Sequence, residues 1–482
     1  MYKLIYPTVD LFLYDLRDGL GQSDEKITEN RQNFWRKIDP TVINPSATNE
    51  NPDKDFVKLH SQRFPEPLDG MYFALQIGDT YFLQVDASEV VSPKEPTLKD
   101  KPRPLEQLAL LKKLVISKVN HHEKAGKIDS DKLGTLGQTW LVWGKATANN
   151  STQADLTKIA EECFSHLSPD PKWKSQFTGL DTKIGDLAGA KVFEYTRTPK
   201  NWTDDLEEFS QENYHLVILL FPANAPEPDE LRKRIKKISF DLVKLFAYRH
   251  KIIWSYWNSR RLKAELKKDA QQMQDLRQQI QDYQTRSFDL DRLQQKLTES
   301  LPTLAEYSTK LNEMSSQGHT IKINIENYQK RLTKIVNEVA QNNPDLQTPN
   351  LQVFQKFIST AEERYHQQII MDYEGLQAVL TILENLTRTI DTLVNIERTK
   401  VESQQNTTIA IAGLGLAASS AFAGITATQV YQPNNDGKEI VPWTSASSET
   451  ARIHWWQGLG FSLIPVAFTL LIWLYFKKKW EK

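Results

Sequence analysis

Residues 215–268 read HLVILLFPANAPEPDELRKRIKKISFDLVKLFAYRHKIIWSYWNSRRLKAELKK. The apolar run at 215–221 is long enough for one buried strand and too short for a helix, and it stops at a proline-rich break. Pro226, Pro228 and Asp229 then make a helix start. Proline suits the first turn, where its missing N–H is not needed, and an acidic side chain suits the positive end of the helix. The chain therefore passes here from a strand-bearing domain into a helical one. The helical part opens with a charge excess: residues 229–268 hold thirteen Lys or Arg against four Asp or Glu, while the net charge of all 482 residues is −1. Aromatic residues are interleaved with these cations. Cations beside flat rings suit an anionic ligand that carries a base, such as a nucleotide. Arg232, Arg234, Lys237, Trp254 and Trp257 are the candidate residues for it. A basic helix packed on the acidic remainder of the chain would use the same composition. A near-zero net charge supplies no general field for nucleic acid, and no DNA binding is expected.

Working outward toward the N-terminus, residues 1–225 alternate strand-like and helix-like patterns. Residues 4–16 read as a strand. Residues 71–77 and 80–86 flank Gly78-Asp79, a hairpin signal. Residues 139–143 and 192–196 read as further strands, and 105–124 and 152–167 as helices. An α/β domain with a mixed sheet is expected, with 40–69, rich in Pro, Asn and Asp, as a long loop. Toward the C-terminus, 226–347 reads as a basic helical hairpin or coiled-coil layer that turns at Ser315-Ser316-Gln317-Gly318. Residues 348–408 read as one long stalk helix. In it Leu376, Val379, Leu383, Leu386, Ile390 and Leu393 step by three and four, a heptad seam suited to an oligomer contact.

The tail differs from the rest. Residues 409–430, IAIAGLGLAASSAFAGITATQV, and 458–476, GLGFSLIPVAFTLLIWLYF, carry no charge. As helices they would be roughly 33 and 28 Å long, close to the thickness of a bilayer core. Tyr431, Trp443, Trp455, Trp456, Tyr475 and Trp480 lie near their ends, and Lys477, Lys478 and Lys479 follow the second. These features predict two transmembrane helices in the inner membrane, joined by an external loop at 431–457, with both termini cytoplasmic and a basic tail at 477–482. Continuing the stalk spacing into the first span puts Thr408, Ile411, Gly415, Ser419 and Phe422 on one face, as candidate pore-lining residues. Asp436 and Glu439 would draw cations to the outer mouth.

Catalytic motifs are missing. Gly144-Lys145 resembles the end of a P-loop, but Thr139 stands where the first glycine belongs and Ala146 where Ser or Thr belongs. His121-His122-Glu123 lacks the second histidine of a zincin motif. Cys163 is the only cysteine, which excludes an intrachain disulfide and points to a reducing compartment. No apolar run at the N-terminus is long enough for a signal peptide. An enzyme is not expected.

The expected order is an α/β domain, a helical layer, a long stalk helix, two closing spans and a Lys-rich end. That order resembles the CorA family of magnesium-transporting channels. The resemblance implies a homopentamer with the first span lining a pore, and Mg2+ or another divalent cation as cargo. The family's Tyr-Gly-Met-Asn motif falls where this chain has Tyr431-Gln432-Pro433-Asn434, so Tyr431 and Asn434 match and the central Gly-Met does not. CorA-like proteins without that motif also occur as membrane effectors beside type III CRISPR systems, which implies a nucleotide second messenger as ligand. The expected function is a weakly selective cation channel gated by a cytoplasmic signal. A divalent metal transporter, or a membrane-anchored coiled-coil scaffold without a pore, is the alternative.

Overall fold

The computed structural model of the chain describes residues 2–19, 21–39, 41, 56–65, 68–90, 101–119, 134–147, 152–168, 184–196, 215–286, 290–342 and 349–402. Its contacts divide it into two compact units, 1–260 with 318–367, and 261–317 with the residues from 368 onward.

The first unit is built on one mixed sheet. Its strands are β1 (Lys3–Leu16), β2 (Phe56–Arg63), β3 (Leu68–Ile77), β4 (Thr80–Val90), β5 (Pro102–Pro104), β6 (Gly137–Ala146), β7 (Gly185–Leu187), β8 (Ala190–Thr196) and β9 (His215–Phe221). The order across the sheet is β2-β3-β4-β1-β6-β9-β8-β7, and β5 pairs with β1. Among the described strands only β6 and β9 run parallel. Gly78 turns the β3–β4 hairpin with a φ of 57°, a conformation that costs glycine nothing. The region expected to be a loop, 40–69, contains β2. It is an edge strand with mostly exposed side chains, so its polar sequence FVKLHSQR is compatible with pairing to β3.

Three short helices cover one face of the sheet. Helix α1 (Asp24–Arg36) starts on Ser23, whose side chain accepts from the Lys26 amide, with Asp24 and Glu25 in the first turn. Helix α2 is Gln107–Lys118, and α3 (Gln153–Leu167) starts on a capping box of Thr152 and Asp155. Along β1 every second residue, Val9, Leu11 and Leu13, joins the apolar core under these helices, together with Trp140, Val142, Ile218 and Cys163. The alternate residues Tyr6, Thr8, Asp10, Phe12 and Tyr14 serve the other face. There lies α4 (Pro228–Arg286): the Phe12 ring meets Phe246, and the Tyr14 hydroxyl donates to the Val243 carbonyl at 3.0 Å. Helix α5 (Leu290–Asn342) covers α4 in turn, with Arg331 and Lys334 both on Asp241, at 2.5 and 3.1 Å.

Ser315–Gly318 lie inside α5 and make no turn there. The buried apolar residues of this helix and Gly318, that is Tyr307, Leu311, Met314, Gly318, Ile321, Ile325, Tyr328, Leu332, Ile335 and Val339, recur by four and three without a gap. A continuous buried stripe outweighs the cost of about 1 kcal/mol for one glycine in a helix. Beyond it, Asn350 exchanges both backbone hydrogen bonds with Asp186 of β7. The backbone is then helical from Gln352 to Glu402: α6 (Gln352–Thr360), a π-helical turn (Ala361–His366) and α7 (Gln367–Glu402).

In the second unit three helical segments are tied by side chains. Lys263 of α4 pairs with Asp372 of α7 at 2.5 Å, Lys310 of α5 pairs with Asp269 of α4 at 2.9 Å, and the Tyr307 hydroxyl donates to the Leu376 carbonyl. The heptad positions Leu376 and Leu383 are buried within this single chain, at 8% and 3% exposure.

The expected membrane architecture requires correction. Among the described residues no helix is long and apolar enough to cross a membrane. The reason is compositional: α7, the expected approach to the first span, carries Asp372, Glu374, Glu384, Arg388, Asp391, Glu397, Arg398 and Lys400, and each charge at a bilayer centre would cost about 3 kcal/mol. The segments 409–430, 431–457, 458–476 and 477–482 lie outside the described residues. So do Thr408, Ile411, Gly415, Ser419, Phe422, Tyr431, Asn434, Asp436 and Glu439. A chain with two C-terminal transmembrane helices, held as a multi-pass protein in the inner membrane, is therefore not supported.

In-chain burial of the seam has a measurable consequence. Leu383→Asp places a charge in an apolar contact, at a cost of several kcal/mol. The melting temperature should fall by the same amount at every protein concentration. A loss that disappears on concentrating the protein would instead place Leu383 between chains.

Candidate functional site

The face of the sheet under α4 is the polar one, and its polar residues fall into two groups. The first gathers at the start of α4. Arg232 bonds Asp69 at 3.1 Å, the Tyr6 hydroxyl donates to the other oxygen of Asp69 at 2.6 Å, and the Arg232 guanidinium lies over the Tyr6 ring. Asp10 and Asp86 are opposed in the β1–β4 ladder. Gln84 donates to Asp10 at 2.7 Å and the Met71 amide to Asp86 at 2.9 Å. Burial raises both carboxyl groups above the ordinary carboxylate range. The charge of Asp86 adds to this at Asp10, while Arg232 opposes it at Asp86. Arg232 thus clips α4 to the sheet beside three carboxyl groups.

The second group lies about 25 Å further along the helix. Thr139 of β6 is fully buried, and its hydroxyl lies 2.7 Å from Nδ1 of His215 and 2.8 Å from Nε2 of His250. On its far side His215 reaches Glu194 of β8, Nε2 to Oε1 at 3.0 Å. The side chains of His215 and Glu194 are 0% and 8% exposed. Burial, and then the positive charge of Arg249, hold both histidines well below their ordinary pKa, so they are neutral at pH 7. Burial pushes the Glu194 carboxyl up to about 7, against a downward pull from Arg249.

These contacts form one chain, Glu194–His215–Thr139–His250. The Thr139 hydroxyl owns a single proton, so it donates to one imidazole and accepts from the other. With Glu194 ionised, His215 donates to Glu194, Thr139 donates to His215, and His250 donates to Thr139. With Glu194 protonated, all three bonds reverse. Gly137 permits this close packing: its φ is 149°, and a Cβ there would lie 2.4 Å from Nδ1 of His250. Thr139, His215 and Glu194 have the order of a nucleophile, base and carboxylate triad. The complete burial of Thr139 leaves its hydroxyl no face to solvent.

The structure does not bring the five candidate anion-binding residues together. Arg232 is held by Asp69, and Trp257 is buried at 5% exposure. Trp254 is half-buried and about 33 Å along the helix from Arg232. Arg234 is half-buried and Lys237 exposed. Several other cations of the basic stretch find partners in the chain: Lys251 on Asp79, Arg261 on Glu265, Lys263 on Asp372, and Arg260 over the Tyr256 ring. The reading from sequence missed Glu194, His215, Thr139 and His250. One signal was present: Arg249 and His250 continue the apolar stripe of Leu242, Phe246 and Ile253, so they had to be buried. Among the described residues no group of three or more His, Cys, Asp or Glu is arranged to hold a metal ion.

Glu194 carries a pH prediction. Its folded pKa is raised, so the folded state holds the proton more tightly than the unfolded chain. Its contribution to stability is present below the unfolded value of about 4.5 and is lost as pH rises to about 7. Glu194→Gln keeps an acceptor for His215 and removes the titration. The variant should gain on the wild type between pH 5 and 8, by on the order of 3 kcal/mol, in denaturant unfolding. Parallel stability curves would show that Glu194 titrates normally. No family model matches the chain, and no curated protein or solved structure matches it either.

Proposed function

We propose that the chain is a non-enzymatic, CorA-like regulator that assembles from identical copies and responds to an anionic signal of the nucleotide class. One observation carries the signal reading. Lys233, Lys237, Phe240 and Lys244 follow one another by four, three and four residues and so share one face of α4, with Lys236 at its border. Lys233, Lys236 and Lys237 are exposed, and Lys244 lies over the Phe240 ring at 4.9 Å. This is a row of cations with one flat ring, the chemistry that a phosphate-bearing base needs. The same helix is continuous to Arg286 and bears the Lys263–Asp372 ion pair, so a ligand on its first turns would load a helix shared by both units. Assembly from identical copies rests on the CorA resemblance alone, and mass measurement in solution tests it.

Calorimetric titration with a nucleoside triphosphate, a cyclic dinucleotide and a short oligoribonucleotide tests the signal. At least one should bind, with an affinity that falls as salt rises. Reversing Lys236 and Lys237 to Glu should weaken it by tenfold or more, as the loss of two contacts worth about 1 kcal/mol each implies. The proposal fails if none binds, or if the reversal leaves the affinity unchanged.

A further inference from the structure

Arg249 has no solvent exposure, and its three guanidinium nitrogens have no hydrogen-bond partner among the described residues. The Phe357 ring lies against it at 5.0 Å, which occupies one face of the guanidinium. The N–H groups of a guanidinium lie in its plane, and a ring on its face satisfies none of them. Glu194, whose charge acts on Arg249, gives it no hydrogen bond and is bonded by His215 instead. Tyr328 of α5 and Tyr365 of the π-helical turn complete the surroundings that feel its charge. The ring of Tyr365 is itself stacked on Tyr256 at 4.5 Å. Nδ1 of the neighbouring His250 is a further buried atom without a partner. A buried cation with five open donors is among the most costly arrangements in a protein, and partners with matching acceptors relieve it.

We infer that Arg249 is the core of an interior binding site for a small oxyanion, which takes the in-plane edge of the guanidinium while Phe357 backs its face. Two oxygens on one centre match the parallel N–H groups of the fork, so carboxylates, bicarbonate and phosphate share the required chemistry. A lone spherical anion does not match it. The site is enclosed by α4, α5 and the helix of residues 352–367, so the anion enters when these helices part and locks them when bound. It is separate from the exposed lysine row on α4, and neither site depends on the other being occupied.

The test is thermal unfolding of the full chain with inorganic phosphate, bicarbonate or acetate, each against chloride at constant ionic strength. At least one oxyanion should raise the melting temperature saturably, and equilibrium dialysis with the labelled anion should show one bound per chain. Arg249→Gln should abolish both. Should that variant not fold, Phe357→Leu, which removes only the backing ring, should weaken binding by about tenfold. If no oxyanion is bound by the wild type, or if binding survives these substitutions unchanged, the inference is overturned. Which arm responds distinguishes a carboxylate from a phosphate as the natural occupant.

Discussion

A polar group taken out of water must find a partner or lose about 1–3 kcal/mol, and the α4 face of the sheet is where this chain meets that demand. One side of β1 is hydrocarbon: Val9, Leu11 and Leu13 gain from burial alone, whatever their exact neighbours. The other side presents Thr8, Asp10 and Tyr14, with Gln84, Asp86, Thr139, His215 and Glu194 from the adjacent strands. Thr8, Asp10, Asp86 and Glu194 find partners within the sheet, whereas Tyr14 and Thr139 also meet α4, and those contacts hold only in one register, because a hydrogen bond is lost within a fraction of an ångström. Arg232 on Asp69 and His250 on Thr139 fix that register at two places on the helix. Phe12, Phe82 and Phe246 form the apolar band that includes the middle.

The two polar groups differ in what they leave open. Around Arg232 the acids outnumber the cation, and each acid has a donor, so the group is closed and holds the helix in place. Around Arg249 the donors outnumber the acceptors. A cation with free N–H groups is more consequential than a buried acid pair, since a carboxyl group can become neutral by taking up a proton and a guanidinium cannot. The histidines beside Arg249 stay neutral for the same reason, so the local excess of positive charge rests on one residue.

The sheet was readable where burial is two-sided. Residues 215–221 coincide with β9, and the runs at 4–16 and 139–143 lie within β1 and β6, because a strand covered on both faces is apolar throughout. Edge strand β2 was hidden by the reverse logic: one exposed side and a neighbouring Pro, Asn and Asp composition look like loop. Helix α1 was missed because only Phe34 of its thirteen residues is buried. Gly318 misled in the opposite direction, as a turn residue whose smallness serves a packed stripe. Of the site, composition exposed the cations but not their fate. Whether Arg232 or Lys237 meets solvent depends on where Asp69 arrives, and that contact spans 163 positions of sequence.

The π-helical turn at Ala361–His366 accommodates one residue more than an α-helix would in the same rise. Its buried residues show the insertion, since Ala361, Tyr365 and Ile369 step by four and four. Each residue turns an α-helix by about 100°, so one residue more or less in this turn changes which side chains fall on its buried face. A single-residue deletion between 361 and 366 would therefore yield a more regular helix and a worse protein. Tyr365 would then leave the position that stacks its ring on Tyr256. Length in this short segment is constrained more tightly than the identity of any side chain in it.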